Sequence, residues 1–98
     1  MNYIQSLTYA ENIENFGELL EFDLTELSMA LQVLLEQDAG PAFKKIVDWY
    51  DAVYQNENKR SGRNTIYSLC CIADAISTAN SCPIRAKEMF GKLYGDID

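Results

Sequence analysis

The sequence predicts an all-α fold, a compact bundle of about five short helices in a single domain that covers residues 1–98. Apolar residues recur three and four positions apart, which is the spacing of one helix face. No alternating run exceeds four residues and no Asn-Gly hairpin turn occurs, so strand signals are almost absent. With 48% hydrophobic residues and only 2 prolines, the chain has the composition of one ordered domain.

The first predicted helix runs from Tyr9 to Glu21 and carries an acidic face. Thr8 and Glu11 fit a capping box at its start. Four glutamates follow at intervals of three, four and three, which places them within a sector of about 80° on a helix, opposite an apolar face. The first basic residue of the chain is Lys44, so no cation close in sequence relieves this face. The face consists of Glu11, Glu14, Glu18 and Glu21.

The second predicted helix runs from Leu24 to Gln37 and is apolar on two sides. Asp23 and Glu26 form its capping pattern. Met29 and Val33 lie opposite the leucine stripe, which indicates a central helix packed on both sides, or alternatively a dimer contact. The stripe consists of Leu24, Leu27, Leu31, Leu34 and Leu35.

The third predicted helix runs from Pro41 to Gln55, after a break at Ala39-Gly40-Pro41. Trp49 lies at the margin of its apolar face, where it closes the edge of the core or anchors an interface. Asp48 and Asp51 flank it on the polar side, three residues apart. The apolar face consists of Phe43, Ile46, Val47, Tyr50, Val53 and Tyr54.

A polar stretch, Asn56–Asn64, is predicted to be a solvated loop. Its three bases suggest a phosphate contact only weakly, since no aromatic residue accompanies them. They are alternatively free to fold toward the acidic face of the first helix. Two further helices are expected, at Thr65–Ala79 and Ile84–Leu93. The last of them offers the core Ala86, Met89, Phe90 and Leu93.

Catalytic and metal chemistry are not expected. The chain has no histidine, which removes the usual nucleophile–base arrangements, and no glycine-rich phosphate loop or calcium loop. Its three cysteines are one ligand short of a closed zinc site. Cys70 is interpreted as a small core residue, whereas a bridge between Cys71 and Cys82 remains an alternative. We therefore expect neither an enzyme nor a bound cofactor or metal.

Charge is strongly polarised along the chain. Residues 1–57 carry 11 acids and 2 bases, and residues 58–98 carry 4 acids and 6 bases, which gives balances of −9 and +2. The acidic half is unsuited to direct nucleic-acid binding, which needs Lys and Arg, and is attracted to basic surfaces. Neither a membrane span nor a secretory signal is visible, so a cytoplasmic location is expected.

Together these features predict a small acidic inhibitor that occludes the positively charged site of a basic, nucleic-acid-handling protein. Immunity proteins of nuclease toxins and phage-encoded inhibitors share this general character, although no motif assigns the chain to one such family. The alternative is a non-enzymatic structural or adaptor module, monomeric or homodimeric, whose acidic face is merely solvated. The candidate partner-binding residues are Glu11, Glu14, Glu18, Glu21, Asp23, Glu26, Asp48, Trp49 and Asp51.

Overall fold

The computed structural model describes residues 1–16, 23–77 and 84–95, and these ranges confirm the all-α fold. They form five α-helices and one short 3₁₀-helix, with no β-strand among them. Each helix in these ranges is too short or too polar to cross a bilayer. The α-helices are α1 (Tyr3–Glu11), α2 (Leu24–Glu36), α3 (Gly40–Asn58), α4 (Gly62–Ser77) and α5 (Ile84–Tyr94), and the 3₁₀-helix is Ile13–Phe16.

The first helix begins six residues before its predicted start. Its cap is Asn2, whose side chain accepts a hydrogen bond from the Gln5 amide at 2.8 Å. The Gln5 side chain accepts one in return from the Asn2 amide, also at 2.8 Å, which completes a capping box. Thr8, the predicted cap, lies inside the helix, where its hydroxyl donates to the Ile4 carbonyl.

The predicted helix from Tyr9 to Glu21 is therefore wrong. α1 ends at Glu11 with Asn12 as its C-cap, and the 3₁₀-helix follows from Ile13. Asn favours helix ends because its side chain competes for backbone hydrogen bonds. Ile13, the next residue, is completely buried in the core. Glu11 and Glu14 thus belong to different elements, while Glu18 and Glu21 lie outside the described residues.

The second helix begins at Leu24 as predicted, capped by Asp23, which accepts a hydrogen bond from the Thr25 amide at 2.8 Å. It packs against α1, α3, α4 and α5, as a central helix does, but its two apolar sides are not both covered. Leu24 was expected in the buried stripe but is 49% exposed at the first turn. Met29 is 42% exposed, so the second apolar side of the helix is open rather than covered there. The buried face consists of Leu27, Ala30, Leu31, Leu34 and Leu35.

The polar loop between the third and fourth helices is much shorter than predicted. Among the residues expected between 56 and 64, only Lys59 to Ser61 connect α3 with α4. Lys59 ends α3 in the left-handed backbone conformation, with φ at 54°.

The last helix completes the core, as its apolar spacing predicted. Phe90 is fully buried and meets the ring of Phe43 edge-on at 5.4 Å between centroids and that of Tyr67 at 5.1 Å. Cys70 is buried as a free thiol, which confirms its interpretation as a core residue. Cys82 and the side chain of Cys71 lie outside the described part of the structure.

Candidate functional site

A groove of about 540 Å³ lies between α1 and the start of α2, and we call it the α1–α2 groove. It forms because these two helices pack directly against each other. Its volume is in the range of cavities that accept ligands or partner side chains. Among the described residues that line it, none is a lysine or an arginine. The lining consists of Met1, Gln5, Thr8, Tyr9, Asn12, Glu26 and Met29.

Tyr9 lies at the groove with only 7% of its surface exposed. Burial, which disfavours the phenolate, and the negative charges of Glu26 and Asp23 together raise its pKa to about 12. Both carboxylates thus lie close enough to this hydroxyl to act on it electrostatically. Both are themselves exposed to solvent. Two exposed carboxylates thus lie at the start of α2, and Glu26 is the one that lines the groove.

Met29 provides the apolar part of the same groove. It lies one helical turn after Glu26, so both residues occupy neighbouring positions on one side of α2. Its 42% exposure leaves a flexible, polarisable side chain available to a partner. Acidic and apolar groups therefore lie next to each other on a single concave surface.

Among the predicted acidic residues of the first helix, Glu11 and Glu14 do not line this groove. Glu11 is exposed at the end of α1, and Glu14 is exposed in the 3₁₀-helix. They do not share the continuous helix face that their spacing predicted. The tertiary structure instead places Asp23 and Glu26, at the start of α2, near Tyr9 of α1.

Asp51, a candidate binding residue, instead connects two helices. Its Oδ1 accepts hydrogen bonds from the backbone amide of Arg63 and the hydroxyl of Ser61, both at 3.0 Å. Its Oδ2 accepts one from the Gln55 amide group at 3.2 Å and lies 3.8 Å from the Arg63 guanidinium. Burial raises the pKa of Asp51, but these hydrogen bonds and the Arg63 charge outweigh it and leave the pKa below its ordinary value. Asp51 thus caps α4 from α3.

Asp48 is also engaged within the fold. Its Oδ1 accepts a hydrogen bond from the Tyr94 hydroxyl at 2.8 Å, and its Oδ2 is 2.6 Å from the Lys44 ammonium. The Arg63 guanidinium lies 4.1 Å from the centre of the Tyr94 ring, a cation–π contact. Burial raises the pKa of Tyr94, and the hydrogen bond and charge of Asp48 add to this effect against the opposing charge of Arg63. These contacts join α3, α4 and α5.

Trp49 is half-buried and packs against the core, with its ring centroid 6.4 Å from that of Tyr50. This position confirms that it closes the edge of the core. Arg63 contacts Asp51 and Tyr94, so it does not reach toward the first helix as one alternative proposed. The second candidate patch, Asp48, Trp49 and Asp51, is thus largely tied to intramolecular contacts.

Sequence reasoning missed the polar residues of the groove. Gln5, Thr8 and Asn12 follow one another at intervals of three and four, the spacing of a single helix face. The signal that identifies them is the capping pair Asn2 and Gln5, because it starts the helix early enough to include Gln5 and Thr8 and to place Asn12 at its C-cap. A helix started at Tyr9 leaves two of them outside.

A second cavity, of about 400 Å³, lies between the end of α2 and α5. Its lining carries both signs of charge, including Glu36, Glu88 and Arg85. Lys92 pairs there with Asp38, with 3.0 Å between Nζ and Oδ1. Within the described ranges, no group of three or more Cys, Asp or Glu side chains is arranged to hold a metal ion.

The fold and these surfaces define a small all-α bundle with a groove between α1 and α2 that Glu26 lines. Comparison of the chain with protein-family models, curated protein sequences and solved structures gives no significant match. Function is therefore inferred from the charge and geometry of the chain itself.

Proposed function

We propose that this chain is a small acidic inhibitor that binds a basic, nucleic-acid-handling protein and occludes its positively charged site. The proposed class is that of immunity proteins, which neutralise nuclease toxins, or of phage-type inhibitors. The observation that supports the proposal best is the exposure of Asp23 and Glu26 together at the start of α2, where Glu26 also lines the α1–α2 groove.

Electrostatics supply the physical rationale. Nucleic-acid-handling sites are rich in Lys and Arg because they bind phosphates, and carboxylates on a rigid surface can take the place of those phosphates. The chain has a net charge of −7, and residues 1–57 carry a balance of −9. Such a field accelerates encounter with a cationic partner, and close contacts at the interface then slow dissociation.

Within the proposed interface, the acids of α1, the 3₁₀-helix and the start of α2 carry more weight than the second candidate patch. Glu11, Glu14, Asp23 and Glu26 are exposed, so their charges are available to a partner. Glu18 and Glu21 remain part of the proposal from their sequence positions alone. By contrast, Asp48 and Asp51 already accept hydrogen bonds from within the fold.

The alternative function is a structural or adaptor module that forms a homodimer. It is supported by the exposure of two apolar side chains of α2, Leu24 at 49% and Met29 at 42%. Apolar self-association is little affected by salt, whereas binding between opposite charges weakens as ionic strength rises. Salt dependence therefore separates the two functions.

A matched pair of charge reversals tests the proposal. The test variant is Glu14→Lys/Glu26→Lys, and the control is Glu36→Lys/Glu88→Lys, which changes the net charge equally on exposed residues at the other cavity. Each is used as bait in cells that produce the chain, with stepped salt elution, identification of retained proteins and a nuclease assay on them. Thermal melts confirm that both variants fold.

We expect the wild type and the control to retain a basic protein that moderate salt releases and whose nuclease activity the chain suppresses. The test variant should lose at least tenfold in affinity, about 1.4 kcal/mol. Equal loss in both variants would show that only net charge matters. A salt-resistant dimer by light scattering, with no basic partner, would instead favour the structural module.

A further inference from the structure

The α1–α2 groove combines features that specify the kind of element it can receive. We propose that it binds a basic amphipathic helix of the partner, whose apolar side chains contact Tyr9 and Met29 and whose Lys or Arg side chains lie beside Asp23 and Glu26. This inference rests on the proposed function and names the element that the inhibitor captures.

The shape of the groove favours a helix. Its walls are α1, of 9 residues, and α2, of 13 residues. At 1.5 Å per residue the shorter wall is about 13 Å long, which matches about two and a half turns of an incoming helix. A third helix laid between two others continues the packing of the bundle, and an amphipathic helix in a groove is a recurrent mode of recognition.

The apolar contacts are supplied by two side chains with different properties. Met29 is 42% exposed and can adapt to the shape of a neighbour, while Tyr9 leaves only 7% of its surface open, at the floor of the groove. On the incoming helix, apolar residues three or four positions apart lie on one face and can reach both of them. Binding would then cover the open apolar side of α2.

The charges predict the composition of the incoming helix and its position. Asp23 and Glu26 both belong to the start of α2, so the cations of the partner are expected at that end of the groove. The apolar residues follow toward Met29, one turn further along α2. The cavity between α2 and α5 differs, because its acids Glu36 and Glu88 share the lining with Arg85 and Lys92, and Lys92 already pairs with Asp38.

Synthetic peptides test this proposal without the natural partner. The probe is a helical peptide of about 14 residues made of Lys and Leu in an amphipathic order. A second peptide has the same composition in an order that destroys the apolar face, so the two carry equal charge. Each is titrated into the ¹⁵N-labelled chain at 150 mM salt, and amide shifts and dissociation constants are measured.

We expect the amphipathic peptide to shift the amides of Gln5, Tyr9 and Met29 and to bind at least tenfold more tightly than the scrambled one. Met29→Ala should weaken its binding about fivefold. Leu24→Ala, an exposed apolar residue of the same helix that does not line the groove, should leave binding within twofold. Equal binding of both peptides, shifts centred on the cavity at α5, or equal effects of the two substitutions would overturn the proposal.

The outcome is distinguishable from failure of the inhibitor function. If the amphipathic peptide binds the groove while the bait experiment retains no basic protein, the groove is a helix-binding site and the inhibitor function is wrong. If the bait retains a nuclease but the peptide shifts map elsewhere, the inhibitor function stands and this mode of docking is wrong.

Discussion

Replacement of Asp51 by alanine should destabilise the fold, because this carboxylate caps α4 from α3. The substitution removes hydrogen bonds from the Arg63 amide and the Ser61 hydroxyl, both 3.0 Å long, at a site where the Asp51 side chain is only 16% exposed. Loss of a helix cap costs about 0.5–2 kcal/mol, and a hydrogen bond to a charged group about 1.5–3 kcal/mol. The ion pair with Arg63 adds little, since the guanidinium side chain is 37% exposed and the separation is 3.8 Å.

Because these contributions share one side chain and do not add, we expect a cost of about 2 kcal/mol for Asp51→Ala. For a domain of this size that corresponds to a melting temperature lower by about 8–16 °C. Asp51→Asn keeps an acceptor oxygen but loses the charge, so its cost should be near 1 kcal/mol, or about half. Urea denaturation followed by circular dichroism measures both values. Glu36→Ala, at an exposed acid, is the control and should change stability by less than about 0.5 kcal/mol.

The same residue predicts a pH dependence. The pKa of Asp51 in the folded chain is below its ordinary value of 3.8. A lowered pKa means that the stabilisation is fully present above the unfolded pKa and is lost as the pH falls through the folded pKa. The difference between wild type and Asp51→Asn should therefore be constant near neutrality and shrink below about pH 4. A cost of Asp51→Ala within 0.5 kcal/mol of zero, or a difference that grows with acid, would refute the assignment of Asp51 as a cap.

Further substitutions test the packing where α3, α4 and α5 meet. Gly62→Ala should destabilise the fold by about 1–3 kcal/mol, because the added Cβ would lie 2.7 Å from the Cβ of Tyr54. Gly91→Ala should instead stabilise α5 by about 0.5–1 kcal/mol, because, beyond its chain neighbours and its own helix backbone, no described atom lies within 4 Å of the added Cβ. Equal effects of the two substitutions in denaturant melts would contradict this geometry. Tyr94→Phe should cost about 0.5–1.5 kcal/mol through loss of the hydrogen bond to Asp48, and adding Asp48→Asn should cost little more. Fully additive costs in that double-mutant cycle would show that the two groups do not interact.

The local sequence was sufficient to predict a helix where a capping residue and the spacing of apolar residues indicate the same element. Asp23 marks the start of α2, and the spacing of Ala86, Met89 and Phe90 identifies the buried face of α5. Each of these signals lies within a few residues of the element that it specifies. Residue spacing along one helix therefore predicts them without knowledge of its neighbours.

The start of α1 shows where local signals conflict. Asn2 with Gln5 and Thr8 with Glu11 have the same capping spacing, and only the first pair caps a helix. The second pair lies within α1, whose last turn contains both Thr8 and Glu11, and the chain turns at Asn12 to bury Ile13 in the core. Burial is a property of the assembled core, so a pattern of charges on one imagined helix could not reveal it.

The sequence by itself determined the helical class, the net charge and the concentration of acids in residues 1–57. Only the tertiary structure decided which of those acids act inside the fold and which face outward. Asp51 meets the amide of Arg63, twelve residues later, and Asp48 meets Tyr94, forty-six residues later. Glu26 meets the groove because α1 and α2 pack together. Such contacts depend on how helices cross, and a linear charge pattern does not contain that information.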